Sequence, residues 1–298
     1  MFRRKKPRTR SVLLSLALLA GASATLAVPT LADAAGGSSG TSKLVAIRTA
    51  THPGYDRLVF EFSGKLPSHT FVQWAPKIAR DGSGDTVPAG GNAFLQIGLG
   101  GVTGYTKNYA STFGPLRRST GNQNLNEVVH AGEFEGMVSF GAAMMARTSY
   151  SVLKLTNPSR VVIDIRNDYA RTRVPVYFTN RATAETRSVW RYVPAGAPAT
   201  GALHRMFAGP TPAESAAGVG NTLSKATGFT NLSISNGIAR VRLTGGCSAG
   251  GGAFSVANQI DATLSHYPTV RWVKIYSPTG QTGAPTGNSD SLPTCLEP

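Results

Sequence analysis

From Lys43 to Asn167 the apolar residues fall mostly in short alternating or unbroken runs separated by turn residues, which is the pattern of an all-β domain. Leu44 to Thr51 and Arg57 to Phe62 flank His52-Pro53-Gly54-Tyr55-Asp56, so these two runs predict a hairpin. Further strands are predicted at Thr70 to Trp74, Ala93 to Leu99, Gly136 to Met144, Ser149 to Lys154 and Arg160 to Ile165. Near Asp168-Tyr169-Ala170-Arg171 the pattern changes, and helix-like segments begin to mix with period-two runs. Val174 to Phe178 and Thr186 to Val193 predict strands, and Ala202 to Phe207 a short helix ended by Gly209-Pro210. Leu232 to Ser235 and Ile238 to Leu243 flank Asn236-Gly237, the preferred pair for a type I′ hairpin. Phe254 to His266 has Val256, Ile260 and Leu264 at helical spacing, and Val270 to Tyr276 alternates as a last strand. The fold class expected is two domains: an all-β sandwich-like domain over 43–167 and an α+β domain over 173–277 with helices on one sheet face. A Pro/Gly/Ser-rich tail, 278–298, follows.

The amino-terminal segment is built differently. Six Arg and Lys residues stand between Arg3 and Arg10, an uncharged Leu/Ala-rich stretch runs from Ser11 to Val28, and Ala32-Asp33-Ala34 offers small residues for cleavage. That order is the pattern of a secretory signal over 1–34, with 35–42 as a Gly/Ser linker. The competing reading, a retained membrane anchor, is weakened by Gly21, Ser23, Thr25 and Pro29, so no stable transmembrane span is expected after cleavage. The expected location is secreted, outside the cytoplasm.

Removing that segment changes the charge. The whole chain has 30 Lys+Arg and 15 Asp+Glu residues, formally +15; six basic residues and one acidic one lie within 1–34, so about +10 remains. Such a chain is attracted to anionic polymers, and salt weakens the attraction. The basic residues are scattered without an aromatic-interleaved stripe, and nucleic acid is not expected as a partner. The two cysteines, Cys247 and Cys295, would meet an oxidising compartment, where a disulfide between them is the default reading. Two free thiols or a metal site are the alternatives.

Gly246-Cys247-Ser248-Ala249-Gly250 is a literal G-x-S-x-G between a predicted strand and a predicted helix, as a nucleophile elbow requires. The only histidine after it is His266, on the same predicted helix as Asp261, and a flexible glycine turn is the simpler account. A thiol nucleophile at Cys247 lacks a nearby base. His52, His69, His130, His204 and His266 show no metal-ligand spacing. Glu133 and Glu135 flank Phe134, and alternation would put both on one face of a solvated strand edge. Asp81-Gly82-Ser83-Gly84-Asp85 lacks the ligand series of an EF-hand and reads as a polar turn. No catalytic, cofactor-binding or metal residue is expected, and no cofactor. For binding, Tyr55, Arg57, Trp74, Tyr105, Tyr109, Arg117 and Arg118 are the candidates, because flat aromatic faces stack on sugar rings and arginines meet carboxylates or phosphates. The plainer reading makes Trp74 a core residue and the others ordinary surface.

Arg48-Thr49 and His52-Pro53-Gly54-Tyr55-Asp56-Arg57-Leu58-Val59-Phe60-Glu61-Phe62-Ser63-Gly64 resemble the opening of the AMIN-like domain of exported actinobacterial proteins. Asp81 to Gly84, Gly91 with Ala93 to Ile97, Gly132 to Gly136 and Pro158 to Ile165 follow in that family's order. The second half resembles a GerMN domain, a module of spore germination and sporulation proteins, on several segments. They are Val176-Tyr177-Phe178, Val189-Trp190-Arg191, Ala202-Leu203, Gly209-Pro210-Thr211, Ile238 to Val241, Gly250 to Gly252, Phe254 and Tyr267 to Val270. The resemblance implies an envelope protein, since related AMIN domains of wall amidases bind peptidoglycan. The expected function is therefore non-catalytic binding of cell-wall polymer, either peptidoglycan or an anionic glycopolymer, or of envelope proteins. A wall-active hydrolase and a pure protein-interaction scaffold are the alternatives.

Overall fold

Strands β1 (Ser42–His52) and β2 (Tyr55–Ser63) form the expected hairpin, with His52 opposite Tyr55. The structure is a computed structural model that describes residues 42–297. The signal segment and all but the last residue of the linker lie outside the described residues. Along β2 the side chains of Asp56, Leu58, Phe60 and Phe62 are buried, while Arg57, Val59 and Glu61 between them are only partly covered. This is a strand with one face on a core.

Five strands complete each layer of a sandwich. In the first sheet the order is β5 (Val102–Thr103), β1, β2, β10 (Ser159–Arg166), β9 (Tyr150–Leu155). In the second it is β3 (His69–Ala75), β4 (Ala93–Gly100), β8 (Met137–Met144), β7 (Leu125–Phe134), β6 (Arg117–Ser119). Leu58, Phe60, Val161 and Ile163 of one layer share a core with Leu95, Ile97, Val138 and Phe140 of the other. The rings of Phe60 and Phe140 meet across it with centroids 5.0 Å apart. On the outer side of the second sheet, the connection from β3 to β4 lays Ile78 and Val87 over Val129 and Ala131. Gly141 makes that possible, because a Cβ there would sit 2.4 Å from Ile78.

Strand β7 was not predicted. Its first five residues, Leu125 to Val129, are all buried, Asn126 and Glu127 among them, so the period-two signal is absent. The alternation proposed for Glu133 and Glu135 also fails. Glu133 is on β7, but Glu135 sits in the following turn with φ 48°.

The second domain has two three-stranded sheets. One is β12 (Thr186–Pro194), β11 (Arg171–Asn180), β13 (Val219–Gly220); the other is β14 (Ala226–Ser235), β15 (Ile238–Gly245), β16 (Trp272–Tyr276). Asn236 and Gly237 both have positive φ, as a type I′ turn between β14 and β15 demands. Helix α1 (Pro198–Ala208) is longer than expected, and α2 (Pro212–Ala216), capped by Thr211 and Glu214, was not expected at all. Helix α3 (Val256–Leu264) starts at the Ser255 cap and carries the chain across to β16, which runs parallel to β15. Leu203, Met206, Val256, Ile260 and Leu264 of the helices share one core with Val176, Phe178, Val241 and Ile275 of the sheets. The segment read as a tail is folded onto this core: Leu296 is buried, Ser291 pairs with Lys274, and Cys295 is joined to Cys247.

One arginine pins the two domains together. Arg205 of α1 is fully buried, and it donates to the carbonyls of Asn122 (2.8 Å) and Gln123 (2.9 Å) ahead of β7. From the other side, buried Asp56 accepts from the backbone N–H groups of Asn124 (2.5 Å) and Leu125 (2.9 Å). The loop's N–H groups thus point at a carboxylate and its carbonyls at a guanidinium. Asn126 Nδ2 to the His204 carbonyl (3.1 Å) and Ser119 Oγ to the Gly209 carbonyl (2.7 Å) extend the same seam.

Candidate functional site

On the outer face of the first sheet, Arg57 of β2 faces Asp164 of β10 across the ladder. Arg57 Nε and Nη2 each donate to one Asp164 oxygen at 2.7 Å, a bidentate pair that raises the arginine's pKa. The guanidinium carbon also lies 5.3 Å from the centre of the Tyr55 ring, which stacks on His52 at 4.8 Å and 20°. Tyr55, Tyr150, Asp164 and Arg166, with Ser149 and Ser151, line one open groove of about 230 Å³. Tyr150 is held by its hydroxyl, which donates to the Val72 carbonyl at 2.7 Å, and by an edge contact with Trp74 at 5.8 Å. The guanidinium carbon of Arg147 lies over the Trp74 ring, 5.1 Å from its centre. Arg166 at the rim pairs with exposed Asp168, whose pKa it lowers by hydrogen bonding.

Chemically the groove offers aromatic surface, two hydroxyl-bearing serines, a carboxylate whose partner is fixed, and a solvent-facing guanidinium. Such a set suits a polyhydroxylated ring better than a purely apolar ligand. Residues 42–167, which build it, match the family model of the AMIN-like domain, and residues 175–277 match the model described as sporulation and spore germination, Germane. The chain carries an AMIN-like domain followed by a Germane domain. No curated protein and no solved structure matches it.

Of the seven candidate residues, the AMIN-like domain places Tyr55 in the groove, Arg57 against the groove residues Tyr55 and Asp164, and Trp74 half-buried against the core beside Tyr150. The other four lie elsewhere. Tyr105 packs on Phe113 and His130, and burial raises its pKa. Tyr109 is 88% exposed at the tip of the loop between β5 and β6. Arg117 is committed to protein groups, the Glu127 carboxylate and the Pro88 carbonyl. Arg118 lines a separate polar cavity. Tyr150, Asp164, Arg166 and Arg147 were missed. The signal available was the run of outward positions on adjacent strands, but without the strand order nothing says that residue 57 faces residue 164.

The catalytic alternatives can be placed as well. Cys247 is in the disulfide. The Ser248 backbone N–H donates to the Ser224 carbonyl, and His266 makes its aromatic contact with Tyr267. Asp81 to Asp85 form a tight turn closed by Arg80 N–H to the Asp85 carbonyl at 2.7 Å. In the Germane domain, Arg173 lies 5.7 Å from the ring centres of Trp190 and Tyr192, and Trp190 is 55% exposed. This second aromatic and arginine array on the β11–β12 face was not anticipated.

Proposed function

We propose that this is an exported cell-envelope protein that binds wall polymer non-covalently through its AMIN-like domain and performs no chemistry on it. The AMIN-like and Germane domains together are compatible with an envelope or wall-associated protein. A disulfide suits an oxidising compartment, and the amino-terminal sequence has the order of a secretory signal. The observation that carries the binding reading is the groove in which Tyr55, Tyr150, Asp164 and Arg166 converge. Sugar rings stack on the tyrosines while Arg166 and the serines take up hydroxyl and carboxylate oxygens. The non-catalytic part is supported by the engagement of Cys247 in the disulfide, which leaves the glycine-rich turn without its thiol.

The test is co-sedimentation of the oxidised protein with peptidoglycan, with and without attached anionic polymer, over a salt series. Binding to bare peptidoglycan that persists in high salt, and that Tyr55→Ala and Arg166→Gln each weaken about fivefold or more, is the expected result. Binding that needs the anionic polymer and vanishes in salt would reduce the interaction to net charge. Release of soluble fragments from the wall would overturn the non-catalytic reading.

A further inference from the structure

Strand β5 pairs only with Ser42 and Lys43 of β1, so Ile47 to Thr49 lie on an unpaired stretch of that sheet's edge. Strand β6 is the edge of the other sheet. Between these two edges lies an open cavity of about 360 Å³, lined also by Thr211 and Pro212 of the Germane domain. Its polar lining includes Arg48, Thr49, Arg118, Ser119, Thr120 and Asn122, and no carboxylate.

Most of these groups are already satisfied. Arg48 pairs with Glu61 at 2.9 Å, Ser119 Oγ donates to the Gly209 carbonyl, and Thr120 Oγ1 donates to the Leu125 carbonyl. Two are not. Asn122 is 7% exposed and its Nδ2 is buried without a hydrogen-bond partner, and Arg118 Nε is buried in the same condition. Arg118 takes part in none of the ion pairs among the described residues. Burial lowers its pKa with no opposing carboxylate, the mark of a partly desolvated cation lacking a counter-charge. Buried polar groups are nearly always paired, so two unpartnered donors on residues that line one cavity call for an explanation. Both are N–H donors, so what completes them must be an acceptor, and the uncompensated guanidinium asks that it be anionic.

We propose that this seam cavity is a binding site for an oxyanion, a carboxylate or phosphate group received by Arg118 and Asn122. The site is separate from the aromatic groove and does not depend on it. An envelope polymer could present either group, as the carboxylate of an acidic sugar or peptide or as a phosphodiester.

The experiment is calorimetric titration of the full oxidised chain with inorganic phosphate and, separately, with acetate at constant ionic strength, using N-acetylglucosamine as the uncharged control. Expected is saturable binding of at least one anion, none of the neutral sugar, and a ligand-dependent rise in Tm. Arg118→Gln and Asn122→Ala should each weaken binding about tenfold, the scale of one charge-assisted hydrogen bond. Arg147→Gln should leave it unchanged. Which anion binds more tightly tells phosphate from carboxylate. Should the Arg118 variant fail to fold, the Nε–H resonance of Arg118 in the unmodified protein must shift on titration. Equal weakening by Arg147→Gln would mean diffuse charge attraction and would overturn the proposal. So would no binding of either anion, since water alone would then complete the two donors.

Discussion

His204 lies against Phe229, with ring centres 4.8 Å apart, in the seam between the domains, and burial depresses its pKa to about 4 from the ordinary 6.5. The unfolded chain therefore takes up this proton first as pH falls. The stability that neutral His204 contributes is complete above pH 6.5 and is lost as pH drops towards 4, to a limit of about 3 kcal/mol. Glu127 works in the opposite sense. Burial raises its pKa from 4.5 to about 7, with Arg117 only partly offsetting the effect, so its contribution is greatest below pH 4.5 and is lost as pH rises through 7. Over the shared window the two slopes oppose each other. Denaturant midpoints at pH 5 and pH 7 should show His204→Gln gaining stability at pH 5 relative to the parent chain, and Glu127→Gln losing it. Neither residue's role was legible beforehand. A lone histidine and a glutamate in an unassigned segment say nothing about burial, and the partners of Glu127, Arg117 and the Gly90 N–H, arrive from other strands and loops.

The strands and turns were largely legible, because local alternation and turn chemistry set them. The β1–β2 and β14–β15 hairpins appear where Pro53-Gly54 and Asn236-Gly237 put them. Strand β7 escaped because one of its faces meets the sandwich core while the other meets the β3–β4 connection and the domain seam, so polar Asn126 and Glu127 are as buried as their neighbours. The carboxy-terminal segment was half legible. Its disulfide followed from compartment and cysteine count, but the buried Lys274, whose Nζ donates to the carbonyls of Ala284 (2.5 Å) and Thr286 (3.2 Å), has no signature. The bridge spans 48 residues, for which loop closure gives about 4 kcal/mol as an upper figure. Replacing both cysteines by serine should lower Tm and raise amide exchange across 278–297 first, while the strands of the AMIN-like domain keep their protection. Uniform loss of protection would show that the bridge holds more than this segment.

At the scale of the whole molecule, Arg205 decides whether two domains behave as one. It gives its hydrogen bonds to the loop that Asp56 grips from the opposite side, and burial lowers its pKa to about 10, still protonated at neutral pH. Removing it strands buried carbonyls, so Arg205→Ala should cost about 3 kcal/mol or more. Urea unfolding should be a single transition in the parent chain and should split into two in the variant as the domains uncouple. A uniform shift of one transition would place the coupling elsewhere in the seam. By itself the sequence determined most of the strands, the hairpin turns, the disulfide and the family resemblance of each half, all of which follow from local periodicity, residue chemistry or linear motif, while β7 and α2 escaped it. Only the tertiary structure decided which polar groups come together: Arg57 with Asp164 across 107 residues, Arg205 with the loop before β7, and Arg118 and Asn122, each with an unpartnered donor, along one cavity. The reason is physical. Alternation is enforced between neighbours along the chain, whereas strand order, burial and the pairing of charges are enforced between surfaces that meet only after folding.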